Sequence, residues 1–234
     1  MQRQVDSFDN ENVGSVRVTC LVTVGQRILK SGLLDAFHAR HPGMIVELSM
    51  EQRMLDLSKG EADIAIRGGK PGPGALVGRK IAEPPWGIYA SRAFIERHGR
   101  PADPCEIESF PVIELIDQLR SLPAAGWMKL HAPHARIAAC CSNIPSVHLA
   151  VKSGAGLAPL PSIHVAEDTD LVSLFGDMPE LNYPIFLVAH EDVRKRARVS
   201  AFFDFCVREL KPVLLRGRMR PGNPQNGGAA WSFE

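Results

Sequence analysis

The side chains best able to do chemistry in this sequence are its eight histidines and five cysteines. His38 and His41 stand three apart, as do His131 and His134, a spacing that two metal ligands on one helix can use. The first pair abuts Pro42, the second straddles Pro133, and neither has a carboxylate or thiolate constellation beside it. Both pairs therefore read as exposed polar histidines. Cys20, Cys105, Cys140, Cys141 and Cys206 form an odd set without C-x-x-C spacing, so reduced thiols are expected. Cys20 and Cys206 read as apolar packing rather than nucleophiles. The sequence holds no G-x-S-x-G elbow, no H-E-x-x-H and no dinucleotide fingerprint. The glycine- and proline-rich loop 68–74 lacks the G-K-[ST] ending that phosphate and magnesium binding need. No catalytic residue, metal site or cofactor is expected.

The elements that must position any other site follow from periodicity. Alternation over 16–20 predicts a strand, and Leu29, Leu33, Leu34 and Phe37 recur at helical spacing up to Pro42-Gly43. A strand over 44–50, a short helix over 54–59 closed by Gly60 and a strand over 62–66 complete a β-α-β-α-β order. Such an order implies parallel strands joined by right-handed crossovers. Strands are predicted over 76–81 and 86–90, then a helix capped by Ser91 and ended by Gly99. Further strands are predicted over 112–116, 127–130, 137–139, 157–160 and 185–189, with a helix over 142–153. Val199, Phe202, Phe203, Cys206 and Leu210 mark the buried face of a closing helix. From Lys211 onward the chain is rich in Arg, Pro, Gly and Asn and is expected to be disordered.

Composition bounds the answer from outside. Hydrophobic residues make up 45% and charged residues 23% of 234, an ordinary globular balance. Lys and Arg total 27 against 26 Asp and Glu, which argues against a whole-surface nucleic-acid or membrane binder. The start is polar and no apolar run is long enough for a membrane helix, so a cytoplasmic protein is expected.

One set of segments, in order, carries more. It runs Val16-Arg17-Val18, Arg40-His41-Pro42-Gly43, Val46-Glu47-Leu48, Gly60-Glu61-Ala62-Asp63-Ile64-Ala65-Ile66-Arg67 and Tyr89-Ala90-Ser91-Arg92. His98-Gly99-Arg100-Pro101, Gly154-Ala155-Gly156-Leu157 and Phe186-Leu187-Val188-Ala189-His190 follow. Over roughly 14–210 the chain resembles the effector-binding domain of LysR-type transcriptional regulators. The resemblance implies an α/β fold of the type 2 periplasmic-binding-protein kind, two Rossmann-like lobes joined by two crossover segments. Lobe I would comprise 14–90 plus 191–212 and lobe II 91–190, with 1–13 a leader or the end of a linker helix and 213–234 a disordered tail. It also implies a homo-oligomer and a small-molecule effector, with no enzymatic activity. DNA would be contacted only through an N-terminal winged helix-turn-helix, which is expected to be missing from this chain. A free-standing solute-binding protein of the same fold is the alternative.

The resemblance also implies where the effector sits. Thr23, Val24 and Gly25 would form a loop before the first helix, with their amides and the Thr23 hydroxyl at a positive helix end. Arg53, Arg67 and Gly68 follow strands of lobe I. Ser142 and Asn143 start a helix of lobe II, and Pro159 and Leu160 follow one of its strands. Convergent helix starts and guanidinium groups would suit a small carboxylate. Local readings stay open beside these: Thr23 and Asn143 as plain helix caps, and Arg53 and Arg67 as partners of Asp56 or Asp63.

Overall fold

A computed structural model describes residues 13–51, 53–72, 74–216, 219–220 and 232–233. In chain order its main elements are β1 (Gly14–Cys20), α1 (Val22–Ser31), α2 (Leu33–Arg40), β2 (Met44–Met50), β3 (Ile64–Gly68), β4 (Leu76–Ala82), β5 (Trp86–Ser91) and α3 (Arg92–His98). There follow β6 (Val112–Leu115), α4 (Pro123–His131), β7 (Ile137–Cys141), α5 (Ile144–Lys152), β8 (Ala158–Pro161) and α6 (Ser162–Val165). The last are β9 (Leu171–Ser173), β10 (Ile185–His190), α7 (Glu191–Arg194) and α8 (Ala197–Arg216).

The chain divides into two compact units, one holding residues up to Glu83 and from Pro184 onward, the other Pro84–Tyr183. In the first unit a five-stranded sheet runs in the order β2-β1-β3-β10-β4. β1 lies parallel to both β2 and β3, as the β-α-β order demands, and β10 runs antiparallel to β3 and β4. The core is built from Val16, Val18, Ile64, Ile66 and Leu187, all at most 1% exposed, together with the inward face of α8. That face carries Val199, Phe202, Phe203, Cys206 and Leu210, as its spacing predicts. Phe37 of α2 meets Phe202 and Phe205 edge-on, with ring centroids 4.9 and 5.2 Å apart.

The second unit contains the antiparallel group β8-β5-β9 and the parallel pair β6-β7. Ile88, Phe94, Ile107, Val147, Val151, Leu157 and Leu160 are fully buried at its core. Each such side chain contributes about 1.5–3 kcal/mol of transfer free energy.

Several elements differ from the periodicity reading, each for a local reason. The helix expected through Leu29 and Phe37 is two helices, because Gly32 between them has φ +78° and turns the chain. The helix expected over 54–59 is a single tight turn, Leu57–Lys59, with the Asp56 carboxylate accepting from the Ser58 amide at 2.9 Å. The strand expected over 127–130 is helix α4: Pro123 opens it, and Ala124 and Met128, four apart, share its buried face. α8 runs on to Arg216, through the start of the segment expected to be disordered, because Val213 and Leu214 are fully buried. Most of the remaining tail, like 1–12, lies outside the described residues. β5 pairs within the second unit and β10 within the first, whereas the sequence reading placed these strands in the opposite lobes.

Candidate functional site

The first unit presents the carboxyl ends of three parallel strands. Thr23, Val24 and Gly25, expected as a loop, form the first turn of α1 instead. The reason is that Leu21 takes the N-cap position with extended backbone, and the helix starts directly after β1. The Leu21 amide donates to the Ile66 carbonyl at 3.4 Å, which fixes the start of α1 beside the end of β3. Leu21 has no oxygen with which to cap, and no side chain caps this end. The Gly25 amide donates back to the Leu21 carbonyl at 2.9 Å, while the amides of Val22, Thr23 and Val24 have no carbonyl four residues earlier within the helix to donate to. Thr23 and Val24 are buried, at 8% and 0% exposure. Gly25 has a packing duty: a Cβ there would lie 2.4 Å from Met50 Sδ and 3.0 Å from Cys20 Sγ.

The two arginines separate. Arg53 is exposed and pairs with Glu61, Nη1 to Oε2 at 3.2 Å, rather than with Asp56. Glu61 also accepts from the Asp56 amide at 2.8 Å, and that bond, with Arg53 assisting, holds its carboxyl below the ordinary value. Arg67 does not pair with Asp63, because Arg17 takes that carboxylate through its backbone amide at 2.9 Å and its guanidinium at 3.1 Å. Arg67 sits half-buried near the end of β3 with no hydrogen-bond or ion-pair partner among the described residues. Burial pushes its pKa below the usual arginine value. Gly68 ends β3 opposite Ile185.

In the second unit Ser142 and Asn143 join β7 to α5. Asn143 is the N-cap: its Oδ1 accepts from the Ser146 amide at 2.9 Å and from the Ser146 hydroxyl at 2.8 Å. Ser142 is half-buried with no side-chain partner among the described residues. Pro159 and Leu160 lie within β8 rather than after it, opposite Ile88 and Gly87, and Leu160 is fully buried in the core. The sequence reading missed Asp117, just past β6, whose φ of +53° stands alone among the described residues other than glycine. The signal available was a polar residue ending the strand pattern predicted over 112–116. It also missed the clasp on α5, where the Asp168 carboxylate accepts from His148 Nε2 and from Lys152 Nζ, each at 2.8 Å.

The thiols are quiet. Burial pushes Cys20 up to about 12 and raises Cys206 as well, so neither is a thiolate near neutrality. Among the described residues no three His, Cys, Asp or Glu side chains are grouped to hold a metal ion, and no helix is long and apolar enough to cross a membrane.

Residues 9–211 match the sequence model of the family described as "LysR substrate binding domain". The chain belongs to this LysR family. A probable HTH-type transcriptional regulator LtrA of Klebsiella pneumoniae is 26% identical over 89% of this chain and 69% of its own length. An HTH-type transcriptional regulator of Xanthomonas campestris is 38% identical, over 32% of this chain and 22% of its own length. Such matches span only part of their relatives, 37% of the activator AaeR of Escherichia coli for instance. The regulatory domain of CrgA, a LysR-type regulator from Neisseria meningitidis, superposes with a TM-score of 0.71 at 21% identity, covering 85% of this chain and 99% of that one. The effector domain of the regulator AmpR from Pseudomonas aeruginosa gives 0.66 at 16% identity, covering 86% and 95%. The fold is therefore that of LysR regulatory domains, the α/β type 2 periplasmic-binding-protein kind. The relatives named here are transcriptional regulators rather than free-standing solute-binding proteins.

Proposed function

We propose that this chain senses a small anionic effector and self-associates, as the effector-binding part of a LysR-type transcriptional regulator. It acts in the cytoplasm, performs no reaction of its own, and controls transcription through a winged helix-turn-helix outside the described residues. Effector occupancy shifts the population of assemblies competent on DNA. The observation that carries the effector class is Arg67, a partly desolvated guanidinium with no counter-charge, next to the uncapped first turn of α1. A carboxylate would satisfy both at once, through a charge-assisted bond to Arg67 and the amides of Val22, Thr23 and Val24. The Thr23 hydroxyl and the Gly68 backbone complete this part. Arg53 remains with Glu61. In the second unit, taken by itself, the Asn143 side chain caps α5 and Pro159 and Leu160 lie within β8, so of these four residues only Ser142 keeps a polar side chain without a partner among the described residues.

The self-association reading rests on exposed apolar side chains. Leu29 on α1 is 54% exposed and Ile45 on β2 62%, and β2 is an open edge of its sheet. In the second unit Leu149 on α5 is 65% exposed, and Ile137 lies on β7, the open edge of the β6-β7 pair. A second copy of the chain would cover them.

A thermal-shift screen of short mono- and dicarboxylates tests the sensing role. At least one should raise the melting temperature, and Thr23→Val should weaken its binding several-fold in calorimetry without lowering the unliganded melting temperature. No stabilisation by any carboxylate, or an unchanged dissociation constant, would contradict it. Sedimentation tests the assembly: the chain should run as a dimer, and Ile45→Asp should make it a monomer.

A further inference from the structure

We infer that the effector is a monocarboxylic acid with an apolar body, selected by Phe186 beside Arg67; this deepens the effector-binding reading above and rests on it. The observation is one row of side chains across the sheet of the first unit. Phe186 on β10 stands directly opposite Arg67 on β3, and Lys80 on β4 stands opposite Phe186 on its other side. Cys20 is opposite Ile66, and the Leu21 amide donates to the Ile66 carbonyl, so Leu21 flanks Arg67 from the β1 side. Side chains alternate along a strand, and Ile66 and Leu187, the neighbours in sequence, are buried in the core that α8 covers. Leu21, Arg67, Phe186 and Lys80 therefore share the other face. There Phe186 is partly buried against a small apolar cluster of Leu55, Leu57, Ala62, Ala65 and Val188, and Leu21 is 39% exposed.

The row separates charge from apolar surface. Arg67 is half-buried without a hydrogen-bond or ion-pair partner among the described residues, and its neighbours on both sides are apolar. Those neighbours displace water from the guanidinium and put no counter-charge in its place. Lys80 has its own, since its Nζ meets Glu83 Oε2 at 2.7 Å. At the opposite end Glu51 follows Met50, the partner of Cys20, and accepts from the Ser49 hydroxyl at 2.6 Å. A second carboxylate on the effector would meet Glu51 at one end of the row or Glu83 at the other, and like charges repel. A ring or branched chain would meet Phe186 and Leu21 instead. One carboxylate on Arg67 with an apolar body over Phe186 suits the whole row, and an aromatic body adds ring-to-ring contact.

The test titrates the full chain with acetate, succinate, cyclohexanecarboxylate and benzoate in calorimetry at fixed pH and salt. The two ring acids should bind at least about tenfold more tightly than acetate, because they bury several more methylene-sized units of apolar surface. Succinate should gain nothing over acetate. Phe186→Ser should remove most of the preference for ring acids and leave acetate unchanged. Phe186→Leu keeps an apolar contact at the same position and should retain the preference, which separates selection from a folding defect. Ring acids no tighter than acetate, succinate tighter than the ring acids, or a full preference in Phe186→Ser would overturn the inference and leave the sensing role standing. If neither these acids nor any in the wider carboxylate screen binds, the sensing role falls with it.

Discussion

Each unit contains a junction where a parallel strand passes directly into a helix, and the two are finished differently. Where β7 meets α5, Asn143 caps the helix, and Asp168 clasps its side through His148 and Lys152. Where β1 meets α1, Leu21 cannot cap, and the unpaired Arg67 lies on the neighbouring strand. One junction satisfies itself; the other leaves three amides and a guanidinium in want of an anion. The glycines differ in the same sense. A Cβ at Gly156, after α5, would lie 2.8 Å from the Pro111 carbonyl oxygen, a backbone atom that cannot swing aside. At Gly25 the nearest atoms belong to the flexible Met50 side chain. On the reading proposed above, stability is invested at one junction and binding capacity at the other.

Substitutions can break or sharpen this contrast. Gly156→Ala should have the largest effect, lowering stability by about 1–3 kcal/mol in chemical denaturation, because overpacking against backbone forces the chain to move. Gly25→Ala should cost less than half as much. Asn143→Ala should lower stability by about 1 kcal/mol, the usual loss for a missing cap, and leave carboxylate binding unchanged. Leu21→Ser should do the reverse at the first junction, raising stability by about 0.5 kcal/mol while weakening carboxylate binding, since its hydroxyl would compete for the same amides.

The smallest effect is one of pH. Burial pushes the Asp168 carboxyl up, but hydrogen bonds from Lys152 and His148 outweigh it and hold the group below its ordinary value. Its stabilisation is therefore fully present above the unfolded value of about 4 and is lost as pH falls through the lower folded value. The melting-temperature gap between the unaltered chain and Asp168→Asn should stay constant from about pH 7 to 5 and close below about pH 4. A gap that persists at low pH would remove the clasp from the account.

Much of the first unit was legible because its strands alternate and its breaks are marked by Gly60 and Pro42-Gly43. The buried face of α8 was legible from 3.6-residue spacing alone. The split at Gly32 was not, since an isolated glycine within a helical pattern does not reveal its φ. Helix α4 was misread because Trp127 and Leu130 carry strand propensity locally, while the register of Ala124 and Met128 decides the fold. At the site, sequence order placed Arg67 at a strand end. It could not show that Arg17 would take Asp63 and leave Arg67 without a partner, because that competition joins residues 46 apart. The capping role of Asn143 was foreseeable from its type and position; the conformation of Asp117 was not.

The most direct test compares calorimetric titrations of one carboxylate into the unaltered chain, Arg67→Met and Asn143→Ala at fixed salt. The account predicts that Arg67→Met weakens binding at least about tenfold without lowering the melting temperature, since hydrogen bonds to charged groups are worth about 1.5–3 kcal/mol and burying an unpaired charge is unfavourable. Asn143→Ala should bind as the unaltered chain does. Equal affinity in Arg67→Met, or a loss confined to Asn143→Ala, would contradict the claim that the uncapped junction holds the anion.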